Sequence, residues 1–174
     1  GCSLRPVYTA LRKRYPAAAQ AGAVAFASAC YKRMESDEFP HHTAEEWAAL
    51  AADTLEFARA RKAGKANVRV FNPTARANGW EAPHTVLQIV NDDMPFLVDT
   101  VSMVAASHAD IHAIIHPVVP VKRSAAGVLE SIGAGGQPES VMRFEIDRLD
   151  DGELDTLKAR LETALADVRE AGTA

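Results

Sequence analysis

The chain has 174 residues, the size of one domain or two small ones. Its apolar fraction is 48%, but 33 of those residues are alanine, which leaves about 50 larger side chains for one compact core and no run near the ~18–20 residues of a membrane span. The net charge of -4 divides unevenly: residues 1–82 hold 12 Lys/Arg against 8 Asp/Glu, and residues 83–174 hold 7 against 15. The basic half would suit nucleic acid, but its charges are scattered over alanine-rich helices and no cluster exceeds Arg12-Lys13-Arg14, so a solvated helical face is the expectation. Cys2 and Cys30 cannot build a disulfide framework, which makes a reducing cytoplasm the default. Gly1-Cys2-Ser3-Leu4-Arg5 carries no apolar secretory stretch, and with no initiator Met the expectation is a cut piece or a cloning remnant.

From Leu4 to about Lys65 the pattern is helical. Leu4, Val7, Tyr8 and Leu11 recur on one helical face. After Pro16, the alanine-rich stretch Ala17 to Met34 favours a second helix by propensity. Pro40-His41-His42 breaks it, and Thr43 with Glu46 fits a capping box for a third. Trp47, Leu50, Ala51, Thr54, Phe57 and Ala58 give that helix its apolar stripe, and Gly64 is expected to end it. A helical arm or small bundle over residues 1–66 follows.

The period then changes. Val68 to Phe71 reads as a short strand closed by Asn72-Pro73, and Asn78-Gly79 marks a turn. His84 to Val90 reads as a buried strand, Pro95 to Ala109 as a helix, and Ile111 to Lys122 as a long strand that Pro117 and Pro120 confine to an edge or a bulge. Gly127 to Pro138 reads as a hairpin loop, Ser140 to Leu149 as a returning strand, and Leu154 to Val168 as an amphipathic helix ending by Gly172. Residues 67–174 are thus expected to form an α+β, ferredoxin-like sandwich: an antiparallel four-stranded sheet with two helices on one face. The first strand fills the place of the missing last one, beside its hairpin partner. The other face is left for the helical arm, a partner copy or more of the same chain.

The most polar concentration lies at a strand end, Asn91-Asp92-Asp93-Met94-Pro95-Phe96. Asp93 is expected to cap the following helix, with Asn91 and Asp92 making the turn and Pro95 in the first helical turn. The strand-to-helix turn also suits a small carboxylate ligand. His108, His112 and His116 recur every four residues, but only His112 and His116 share the strand, so surface or packing roles are expected rather than a metal site. His41-His42 reads as a turn and Cys30 as inert core. Gly133-Ala134-Gly135-Gly136 lacks the spacing and context of a nucleotide loop. No catalytic signature is present and no metal site is expected.

Ile89 to Val101 (IVNDDMPFLVDTV), then Ile111 to Pro117 (IHAIIHP), then Glu139 to Arg148 (ESVMRFEIDR) strongly resemble the N-terminal region of the large bacterial NAD-specific glutamate dehydrogenases. That resemblance implies a cytoplasmic parent enzyme that oxidatively deaminates L-glutamate with NAD, the cofactor being held far downstream and none in these residues. It implies an ACT-like regulatory fold here, with other domains of the same chain and homo-oligomer subunits as partners. By the same resemblance an amino-acid effector would sit at Asn91, Asp92, Asp93, Met94, Pro95, Phe96 and Leu97. In ACT domains that turn is written D-x-P-G, and Phe96 stands where the glycine would be. A ring filling that space favours packing against another domain or subunit over ligand sensing. Two alternatives remain open: an amino-acid-sensing domain acting through this turn, and a nucleic-acid-binding helical arm.

Overall fold

A computed structural model describes residues 3–34 and 42–172. The helices α1 (Arg5–Arg12), α2 (Ala17–Tyr31) and α3 (Ala44–Ala58) precede β1 (Asn67–Phe71), the single turn α4 (Ala75–Asn78) and β2 (Thr85–Asp92). Then come α5 (Leu97–Ala106), β3 (Ile111–Ile115), β4 (Val118–Arg123), β5 (Leu129–Ile132), β6 (Gln137–Ile146) and α6 (Asp151–Gly172). Of the expected break at Pro40-His41-His42, only His42 lies within the described residues. The capping box before α3 forms as its sequence requires. Thr43 Oγ1 accepts from the Glu46 amide at 3.1 Å, and Glu46 Oε1 accepts from the Thr43 amide at 3.3 Å.

The sheet is antiparallel, in the order β1-β2-β6-β4-β5, with β3 also pairing β6. As expected, β1 lies antiparallel beside β2, in the place of a final ferredoxin-like strand. The sheet counts six strands rather than four, for two reasons. The long strand after α5 breaks at His116-Pro117, because proline has no amide to give the ladder. The two halves, β3 and β4, pair with opposite ends of β6.

The glycine-rich stretch is not only a loop. Leu129–Ile132 pairs with β4, and β6 already begins at Gln137. The start of β5 is also braced by the segment after α3. The helix stops at Ala58, ahead of Gly64, and its continuation pairs with the loop: the Leu129 amide donates to Arg59 O at 2.8 Å, and the Arg61 amide to Gly127 O at 3.0 Å. Gly127 has φ +88°, and a Cβ there would stand 2.2 Å from the Arg61 carbonyl oxygen, so only glycine fits this crossing.

Alternation along the two central strands divides the interior. Leu87, Ile89, Met142, Phe144 and Ile146 face α5 and α6, where they meet Leu97, Val101, Leu157, Leu161 and Leu165. On the opposite face Val86, Val90, Val119, Val121 and Val141 meet α1–α3 through Leu11, Phe26, Trp47 and Leu50. Alanines at 23, 27, 48, 51 and 58 let the helices approach closely. The helical segment thus covers the open sheet face. Each fully buried aliphatic contributes about 1.5–3 kcal/mol relative to exposure, so the cover is held by several such terms. A polar seam runs through this second core: Gln88 Nε2 donates to Thr54 Oγ1 at 2.9 Å, and Arg143 Nη1 to Glu145 Oε2 at 2.9 Å. Among the described residues no helix is long and apolar enough to cross a membrane.

Candidate functional site

The segment from Asn91 to Leu97 joins β2 to α5. Asn91 and Asp92 do not form the turn; they are the last residues of β2, registered against Ser140 and Glu139. Asp93 does not cap the helix. Its amide donates to Pro138 O at 3.1 Å, which continues the ladder one step further. The N-cap is Phe96, which offers no side-chain cap, and α5 starts at Leu97, so Pro95 lies before the helix rather than in its first turn.

Phe96 holds φ +70°, the sole positive value on a non-glycine residue among those described. The left-handed region costs an L-residue about 1–2 kcal/mol. Phe96 therefore adopts a left-handed backbone that glycine takes freely, but its ring does not fill the space over the turn: it is 73% exposed. Leu97, by contrast, is buried under the sheet at 3% exposure. Beside the turn is an open hollow of about 160 Å³ lined by Asp93, Met94, Phe96, His116, Val118 and Ser140.

Behind the turn the chain assembles a charged network from residues far apart in sequence. Asp92 Oδ1 accepts from Arg61 Nη2 at 2.7 Å, and Asp92 Oδ2 from Arg169 Nη1 at 2.7 Å. Glu139 accepts from Arg61 Nη2 at 3.0 Å and from Arg123 Nε and Nη2 at 2.8 and 3.0 Å. Arg123 also donates to the carbonyls of Ala58, Arg59 and Gly127, and Arg61 to that of Lys65. Both Arg61 and Glu139 have side chains only 4% exposed. The ends of α3, β2, β4, β6 and α6 meet at this knot.

The electrostatics follow from that geometry. Burial pushes the Asp92 and Glu139 carboxyls up, but the guanidinium hydrogen bonds outweigh it and hold both below their ordinary values. Near neutrality both are ionised and paired, so neither has a proton to give. The knot can fix the turn in place; it is not an acid–base pair. Two carboxylates, Asp92 and Asp93, and a bulky residue at the helix start also do not fit a dinucleotide pyrophosphate. Sequence reading singled out Asp92 but missed Arg61, Arg123 and Arg169, and gave Glu139 no role. Partners separated by 16–78 residues leave no local signal.

Two of the histidines, His84 and His112, find carboxylates that are remote in sequence. His112 Nε2 lies 2.5 Å from Asp147 Oδ1 and its ring stacks on His84 at 4.2 Å; His84 Nδ1 lies 3.3 Å from Glu145 Oε1. The His112 hydrogen bond holds the Asp147 carboxyl below its usual range. His116 falls in the break after β3 rather than on its face. Among the described residues no group of three or more His, Cys, Asp or Glu could hold a metal. Burial pushes the Cys30 thiol up to about 12 against the pull of Arg143, the state of an inert core cysteine.

A family model described as "Glutamate dehydrogenase, ACT1 domain" matches residues 26–161. The chain belongs to this family. It is similar to the NAD-specific glutamate dehydrogenase of Pseudomonas aeruginosa, 39% identical over 110 residues that make up 59% of this chain and 7% of that protein. The NAD-specific glutamate dehydrogenase of Halomonas elongata is 33% identical over 112 residues, 60% of this chain and again 7% of that protein. The chain therefore matches about 7% of the length of these relatives. No solved structure matches it.

Proposed function

We propose that this ACT1 domain is a non-catalytic regulatory and assembly module of a large cytoplasmic NAD-dependent glutamate dehydrogenase. The parent reaction converts L-glutamate, NAD and water to 2-oxoglutarate, ammonia and NADH on residues elsewhere in that enzyme. Residues 1–66 serve as the helical part of the module and 67–174 as its ACT-like sandwich. The turn at 91–97 is its contact surface toward another domain of the same polypeptide or a second subunit. The observation that carries this is Phe96: an aromatic ring held out to solvent on a strained backbone, directly beyond a strand end whose Asp92 is paired with two arginines. Such a ring is an anchor that loses little freedom on docking.

The test uses the parent enzyme with and without this segment, and with Phe96→Ser alone. Glutamate-dependent NAD reduction should persist in both, while oligomeric mass or effector response is lost. If truncation leaves assembly and regulation unchanged, the proposal fails.

The hollow beside the turn supports a second reading, an amino-acid effector bound at Asn91–Leu97, since the Phe96 ring leaves that space open. Calorimetric titration of the chain with the common amino acids tests it, and a flat trace across the panel removes it.

A further inference from the structure

Among the described residues, the one buried side-chain polar atom without a hydrogen-bond partner is Nδ2 of Asn91. Its orientation is not arbitrary. Oδ1 of the same amide accepts from Arg169 Nη2 at 2.5 Å, which leaves the NH2 group on the other side. Asn91 is 1% exposed, and a buried donor left unpaired destabilises the fold. An apolar residue of similar size would avoid that penalty.

Asn91 lines a pocket of about 230 Å³ on the α6 side of the sheet, away from the exposed Phe96. The segment 64–66 forms one wall, and Glu162, Leu165, Ala166 and Arg169 of α6 form the other. The volume is several times the ~30 Å³ share of one water, so a single bridging water would not fill it. Lys65 and Arg169 line the pocket as cations, opposed by the carboxylate of Glu162 in the lining and by that of Asp92, which Arg169 holds at 2.7 Å. Leu165 and Ala166 add a short apolar wall.

We infer that this pocket binds a small organic carboxylate, with one oxygen accepting from Asn91 Nδ2, the other facing Lys65 and Arg169, and its short hydrocarbon stem against Leu165 and Ala166. The site lies wholly within this chain and does not depend on its proposed place in a larger enzyme. Arg169 also holds Asp92, so an occupant would touch the ion network behind the 91–97 turn.

The test is an ¹⁵N NMR titration of the chain with sodium acetate, then sodium succinate, each against sodium chloride at equal ionic strength. Saturable shifts of the Asn91 side-chain NH2 pair and of the backbone amides of Lys65, Ala66 and Ala166 are expected, with a Kd near ~1 mM for one of the two carboxylates; the backbone signals serve as the readout in the variants. Asn91→Asp keeps the acceptor for Arg169 but replaces the donor with a second oxygen, and should weaken binding at least ~10-fold. Lys65→Met, at an exposed position, should weaken it several-fold in a chain that remains folded, so it carries the test if Asn91→Asp does not fold. Shifts that chloride reproduces, that do not saturate, or that both variants retain would overturn the inference. So would a silent Asn91 amide, which would mean that the pocket holds water alone.

Discussion

Replacing Glu139 by Gln keeps the shape of the buried knot and removes its central charge. The side chain is 4% exposed and accepts from Arg61 Nε and Nη2 at 3.4 and 3.0 Å and from Arg123 Nε and Nη2 at 2.8 and 3.0 Å. Glutamine turns one of those acceptors into an NH2 facing a guanidinium. It leaves Arg123 without its carboxylate and Arg61 with Asp92 alone. Breaking a buried pair in this way costs about 3–5 kcal/mol, because the remaining charge is desolvated and uncompensated. With a urea m-value of about 2–3 kcal/mol/M, the unfolding midpoint should fall by roughly 1–2 M. Circular dichroism in urea reads it. The acid side supplies a second check. The Glu139 carboxyl sits below its ordinary value in the fold, so its contribution is fully present above the unfolded pKa of about 4.3 and is lost as pH falls through the folded one. The gap between wild type and Glu139→Gln should therefore be constant from pH 7 to 5 and close below pH 4. A midpoint shift worth under ~1 kcal/mol at pH 7, or a gap that does not change with acid, would refute a structural role for the network.

Three further outcomes are expected. Phe96→Gly should raise stability by about 0.5–1 kcal/mol, since relief of the left-handed strain exceeds the added freedom of the unfolded chain and little burial is lost; a clear fall in melting temperature would show that the ring packs. Gly127→Ala should cost about 2–4 kcal/mol, roughly 5–15 °C in Tm for a chain of this size, because its Cβ meets the Arg61 carbonyl at 2.2 Å; an unchanged Tm would mean that the segment after α3 can give way. In a Cys2→Ser variant, Cys30 should stay silent to a disulfide reagent at pH 8 and react at once in urea, as its pKa of about 12 requires; native-state labelling would contradict its burial.

How much of this was legible depends on the range of the forces involved. The capping box at Thr43 and Glu46, the β1–β2 hairpin and the two faces of β6 were readable, because each is decided by residues within a few positions or by simple alternation. The break at His116-Pro117 was half readable: Pro117 announced an irregular strand, but the separate pairing of β3 and β4 with β6 is a tertiary fact. β5 was hidden in a glycine-rich stretch because it is only four residues long and its pairing with the nearby β4 is irregular, while the bracing at its start comes from the segment after α3, some 70 residues earlier. The same holds for the 91–97 turn. Asp93 looked like a cap by local chemistry, yet the β2–β6 ladder reaches its amide first and pushes the helix start to Leu97. Propensity loses there to a backbone hydrogen bond that only the folded sheet supplies.

The strain at Phe96 and the ion network behind it explain each other. A left-handed phenylalanine persists only where its surroundings leave no alternative. Here both flanks are fixed: Asp92 is clamped by Arg61 and Arg169, the Asp93 amide is tied to Pro138, and Leu97 is sunk in the α5–α6 core. The chain between these points is too short to relax, so the strain remains and the ring stays outside. A flexible loop would gain the lower-energy conformation and lose the fixed direction of the ring. Because Asp92 is held both by Arg61, in the segment that follows α3, and by Arg169 of α6, a force applied at Phe96 reaches α6 and the segment after α3 through one carboxylate. That is the physical requirement for a docking turn that can also report, and it predicts that weakening Arg169 should loosen the turn without unfolding the sheet.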